Sequence, residues 1–290
     1  MTSTNGAQLS DEDATYGAPL GPGSLTWKYL GDRRLLLLVG RTGTLQNMQP
    51  AVGAALEDHS NFFDNPWDRI FRSIPMILGT VYDTDADDTA VQVRDFHKDL
   101  KGTDSRGHRY HALNPDVFWW THATFIEVII AMNEYFGTPL TRAEKDQLVA
   151  EGLTWWRRYG LSSRPEIADY ASFEAYWNRM LDEELESNKT TNYAFSLSDE
   201  KIPPPPGVPR LAWAVVRRPV MTANVWLANA LMPERGREIL GLTWSANDER
   251  AFRVVTAAVR TGWPLLPARV RYYERAYVNI ERSKHAERVA

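Results

Sequence analysis

From Leu25 onward, apolar side chains return mostly every third or fourth residue, as in Leu45, Met48, Val52 and Leu56, which is the period of an α-helix. Capping signals divide this pattern into elements. Asn65-Pro66, Asn114-Pro115 and Thr141 followed by Glu144 each set a capping side chain before a first helical turn, and predict helices over 66–82, 115–136 and 142–159. The acidic run Asp83 to Asp88 suits the positive end of a further helix over 84–101, carrying Val91, Arg94, Phe96 and His97. Beyond Gly160, helical spacing returns over 172–185, 211–231 and 247–261, with a rigid polyproline connector, Pro203 to Pro206, before the last two. Extended Val/Ile/Thr alternation is hard to find. The expectation is an all-α fold, a single large helical domain over residues 23–290 that encloses a ligand pocket. A loosely held arm over 1–22, rich in Gly, Ser, Asp and Pro, precedes it.

The most apolar stretches, Phe118 to Met132 and Val220 to Met232, are interrupted by His122, Glu127, Asn224 and Asn229, so they read as core helices and not as membrane spans. With 43% hydrophobic residues, the 290-residue chain can bury a large core. A net charge of -4 offers no cationic surface for a nucleic acid. The N-terminus has neither the basic start nor the apolar run of a signal peptide, which points to the cytoplasm. Cysteine is absent, which excludes disulfides, thiolate nucleophiles, iron–sulfur clusters and thiolate-ligated haem or zinc. Eleven Trp, twelve Tyr and ten Phe suit a flat, greasy ligand, although packing accounts for most of them.

Imidazole chemistry rests on six histidines. His285 lies in a charged tail, and His108 and His111 lie in a polar segment that reads as a solvated loop. His122 differs, because Phe118, Phe125, Ile126 and Ile129 share its helix face. A buried imidazole needs a partner. By periodicity alone, an ordinary core histidine bonded to a nearby group is the commoner outcome, and an iron ligand the alternative. No Glu-x-x-His for a diiron centre occurs, nor a nucleophile elbow, a Walker loop or a Rossmann turn, whereas histidine-ligated haem survives the elimination.

Arg94 and His97, three residues apart, present a cation and an imidazole on one face of their expected helix. If that face meets His122, Arg94 would pair with a haem propionate or an oxygen-derived anion, and His97 would serve as proton donor or alternative ligand. The bland alternative is a surface pair near an acidic helix start.

Three segments, ALEDHSNFFDNPWDRIFRS, VQVRDFHKDLKG and GHRYHALNPDVFWWTHATF, resemble the MpaB-like oxygenase family, which includes latex clearing protein. The likeness runs from about Gly40 to Leu153 and fades beyond it. It implies an all-α fold around one haem b and oxygen-dependent cleavage of an isoprenoid or another alkene. His122 in WWTHATF matches the family's iron ligand, and Arg94 in RDFH matches an arginine near the haem. The next polar position is a lysine in latex clearing protein, so His97 departs from that pattern. His59-Ser60, Pro66 and Arg69 match positions read as structural, while Gln49-Pro50 stands where relatives often carry His-Pro.

The resulting expectation is a haem b-dependent oxygenase acting on a hydrophobic small molecule with dioxygen and an electron donor. His122 is the metal ligand, Arg94 and His97 are the catalytic pair, and Phe118, Trp119, Trp120 and Phe125 are candidates for the pocket wall. The alternative is a non-catalytic haem or lipid carrier. Either haem reading requires His122 to face the interior with room beside it for a porphyrin.

Overall fold

Helix boundaries fall where the capping chemistry is strongest. In the computed structural model, which describes residues 20–83, 88–161 and 167–289 with side chains up to residue 283, the early helices are α1 (Leu25–Tyr29), α2 (Val39–Asn47), α3 (Pro50–His59) and α4 (Pro66–Tyr82). A 3₁₀ segment, Arg33–Leu38, leads into α2. The Asn65 side chain accepts from the Asp68 amide and Pro66 occupies the first turn, so α4 begins as expected. The period linking Leu45 to Leu56 spans two helices, because Pro50 has no amide to continue α2 and instead opens α3 under a Gln49 cap.

The helix expected over 84–101 is shorter. Residues 84–87 of its acidic start lie outside the described residues, and α5 covers Thr89–Asp95 after Asp88 in a left-handed conformation. The chain then forms a hairpin, β1 (Lys101–Thr103) antiparallel to β2 (Arg109–His111), which periodicity missed because three-residue strands are too short to show alternation. His111 therefore belongs to a strand, and His97 falls in the turn just past α5, its amide bonded to the Arg94 carbonyl.

The central pair is α6 (Pro115–Phe136) and α7 (Arg142–Arg157), the first under an Asn114 cap and the second under a Thr141–Glu144 capping box. Then come α8 (Tyr170–Arg179), a π turn (Met180–Glu184), α9 (Lys189–Ser196), α10 (Arg210–Leu231), α11 (Glu234–Leu240), α12 (Ala246–Gly262), α13 (Ala268–Arg271) and α14 (Glu274–Val289). Among the described residues the fold is all-α apart from the hairpin. No described helix is long and apolar enough to cross a membrane. Residues 1–19 of the expected arm and the His285 side chain lie outside the described part.

Helix α6 runs through the middle, buried on nearly every side, with the main core around Trp119, Trp120, Ile126 and Ile129. A second cluster at its far end joins Phe136 to Leu231 of α10 and Phe252 of α12. Two carboxylates, Glu151 buried and Glu127 partly buried, bind this frame together. Glu151 of α7 accepts from the free amides of Leu25 and Thr26 at 3.0 and 2.7 Å, capping α1 from across the core. Glu127 of α6 receives both terminal nitrogens of Arg41 at 2.5 and 2.6 Å, while Arg41 Nε donates to the Leu231 carbonyl at 2.9 Å.

Candidate functional site

His122 is 1% exposed and lies between α6 and α7. The close approach depends on Gly152, since a Cβ there would stand 2.3 Å from Ile126 Cδ1. Without that side chain the α7 backbone reaches α6, and the Gly152 carbonyl lies 2.8 Å from His122 Nε2. A carbonyl only accepts, so Nε2 carries the proton and Nδ1 the lone pair. Nδ1 is buried and has no partner. Burial pushes the imidazole pKa down to about 4, against a smaller opposing effect of the Gly152 bond, so the ring is neutral at pH 7.

Aromatic rings surround this nitrogen. Trp155, Trp119, Trp156 and Tyr159 have centroids 4.8, 5.3, 5.6 and 5.6 Å from the imidazole. Trp119 Nε1, a donor, is a second buried polar atom without a partner. Nine buried polar side-chain atoms lack a partner among the described residues, and these two differ from the rest in occupying touching rings. The sheath is held from α4, where Thr80 Oγ1 accepts from Trp155 Nε1 at 2.8 Å. Burial raises the Tyr159 phenol pKa, the side-chain bonds to Thr80 and Trp155 opposing it. Phe125 stacks on Trp155 at 5.8 Å.

From this sheath a line of rings leads outward. Phe118 meets Tyr159 at 5.2 Å and Trp156 at 5.8 Å, and His97 at 5.4 Å edge-on. His97 is half-buried, and its Nδ1 donates to the Val93 carbonyl at 2.8 Å, which leaves the lone pair on Nε2. Burial lowers its pKa, the Val93 bond opposes this, and Arg69 lowers it further. Arg94 lies alongside, donating to the Tyr159 carbonyl at 3.1 Å and to Asp95 at 2.8 Å. The structure thus joins Arg94, His97, Phe118, Trp119, His122 and Phe125 in one continuous region. Trp120 is on the opposite side of α6, donating to the Leu45 carbonyl at 3.0 Å and packed on Trp177. Its expected place in the wall is corrected, because neighbouring helix positions diverge by about 100°.

His59, His108 and His111 lie elsewhere. His59 is exposed and reaches the Lys101 carbonyl at 3.2 Å, tying α3 to β1. His111 and His108 line two open clefts, of about 490 and 260 Å³, around the hairpin. Neither cleft includes His122, and packed rings fill the space around the imidazole.

Sequence reasoning missed Gly152, Trp155, Trp156 and Tyr159, which supply the partner and most of the sheath. Their signal was present. A glycine inside a well-capped helix marks a close backbone approach, and Trp155, Trp156 and Tyr159 recur at helical spacing three residues beyond it.

Among the described residues, no three His, Cys, Asp or Glu side chains come together to hold a bare metal ion. An iron ion seated at His122 would need a macrocycle to supply the rest of its coordination; for that the donor fits, while the room expected beside it for a porphyrin is filled by the rings of Trp119, Trp155, Trp156 and Tyr159. A metal-ligating histidine commonly gives its other N–H to a carbonyl, as Nε2 does here, and presents an uncharged lone pair, as Nδ1 does.

A family model described as ER-bound oxygenase mpaB/B'/rubber oxygenase, catalytic domain, matches residues 27–261. No curated protein and no solved structure matches the chain.

Proposed function

The chain belongs to the mpaB/rubber oxygenase catalytic-domain family, and from that premise we propose that it is a haem b-dependent oxygenase acting on a hydrophobic small molecule. The observation that carries the reading is the His122 imidazole, neutral, oriented by the Gly152 carbonyl and left with a buried lone pair. A haem bound there would supply dioxygen activation at its iron. The protein's share is to hold, orient and exclude water.

His122 Nδ1 is the proposed ligand, and the Gly152 bond fixes the ring's tautomer and orientation. Phe118, Trp119 and Phe125 offer apolar surface to a greasy substrate and keep water from the reacting centre. These rings, with Trp155 and Trp156, must part to admit a planar group. Arg94 lies at the outer end of the same region, where a guanidinium suits a carboxylate of the cofactor once Asp95 is exchanged. His97 is uncharged near neutral pH and can accept a proton at Nε2, a suitable state for relaying one inward.

The test begins with colour. Full-length protein produced with added haem should show a Soret band, and His122→Ala should lose it with helical content kept, because alanine is a good helix former. Protein that stays colourless in haem, or a variant that binds it equally well, would overturn the assignment. With a reductant, dioxygen and isoprenoid alkenes, carbonyl products are then expected. Stable haem without turnover on a broad panel would favour a carrier.

A further inference from the structure

Helix α10 presents an unusual surface over its first half. Trp213 and Met221 point inward and pack with Ile202 in a small core of their own, which fixes the helix against the body. The opposite side is apolar as well. Leu211 and Val215, four residues apart, are 86% and 78% exposed, and Val216 and Val220 form a second exposed row beside them. Pro219 adds to this surface.

Arginine is the only charge on this helix. Arg210, Arg217 and Arg218 flank the exposed valines, and no Asp or Glu occurs between Arg210 and Leu231. The carboxylates that face them lie on the preceding segment. Asp199 stands 3.8 Å from Arg218 with both side chains exposed, while Arg217 is bonded to the Glu200 carbonyl and not to its carboxylate. A contiguous apolar face with a cationic margin thus opens to solvent on a chain whose net charge is -4.

We propose that the first half of α10 is a docking surface for an anionic phospholipid membrane, on which the chain lies without spanning it. Apolar side chains in such a helix enter the boundary between headgroups and acyl chains, and arginines pair with phosphate. Charge decides against a second copy as the occupant. Two-fold pairing of this face would set arginines against arginines, with no carboxylate on the helix to answer them. Docking of this kind does not depend on His122, and protein without haem should show it equally.

The full chain is sedimented with vesicles of phosphatidylcholine alone and with vesicles that also contain phosphatidylserine. Wild type should pellet with the anionic vesicles, stay in solution with the neutral ones, and be released by salt. Leu211→Glu combined with Val215→Glu should abolish pelleting with an unchanged circular dichroism spectrum, since both positions are exposed. Arg218→Gln should weaken binding about fivefold. Failure of wild type to bind either vesicle, or equal binding by the double glutamate variant, would overturn the proposal. So would sedimentation equilibrium showing a wild-type dimer that the same variant dissolves, since a second copy would then cover the face.

Discussion

Helix α6 carries two inward-facing polar groups five residues apart, His122 buried and Glu127 partly buried, and they are treated in opposite ways. Glu127 is answered at both oxygens by Arg41, whose Nε donates to the Leu231 carbonyl. His122 is answered on one side only, Nε2 being bonded and Nδ1 left bare. A saturated group fixes neighbours, and here it locks α2, α6 and α10 together. An unsaturated one imposes a free-energy cost on the fold that a bound group would remove. The contrast separates a structural centre from a candidate functional one without appeal to the residue types alone.

The contrast breaks most visibly at the ion pair. Arg41→Ala removes the buried partner of the partly buried Glu127 carboxylate and should cost about 3–5 kcal/mol in urea denaturation, whereas Arg41→Met with Glu127→Leu should recover most of it. If the single variant costs as little as the double, the pair is not the anchor it resembles.

Next in size is an acid effect at His122. Its folded pKa of about 4 lies below the ordinary 6.5, so the unfolded chain binds the proton first as pH falls. The stability is fully present above pH 6.5 and is lost as pH falls through about 4, by roughly 3 kcal/mol in the haem-free chain. His122→Gln should flatten that part of the pH–stability curve, and an unchanged acid limb would show the imidazole to be better solvated than its packing indicates.

Gly152→Ala should cost about 1–3 kcal/mol, because the new methyl group meets Ile126 at 2.3 Å and forces α7 away from α6. A histidine NMR titration should then show His122 protonating at higher pH as water gains access. The smallest effect is expected at Arg94, which is partly exposed and paired with Asp95. Arg94→Gln should lower stability by less than about 1 kcal/mol, in contrast to Arg41→Ala, while weakening haem retention if the guanidinium meets a cofactor carboxylate. Equal changes in both measurements would make Arg94 a purely structural tie.

Most helices were legible because their signals are local. Asn65, Asn114 and Thr141 cap the turns directly after them, and the observed starts of α4 and α6 coincide with the expected ones. The 84–101 segment was misread at its end, where α5 closes in a turn over 96–99 and Lys101 to Thr103 then pair with Arg109 to His111. The candidate site divides in the same way. His122 was visible as an imidazole on an oily face, but its partner and sheath come from α7, about thirty residues away.

By itself, then, the sequence determined an all-helical chain with one conspicuous core imidazole and no cysteine chemistry, because periodicity, caps and residue inventory are carried within a few turns of chain. Only the tertiary structure decided which imidazole nitrogen is protonated, which Trp of the adjacent pair faces it, and which arginine is sealed in the core. Those outcomes depend on how closely α6 and α7 approach, and a single absent side chain at Gly152 sets that distance.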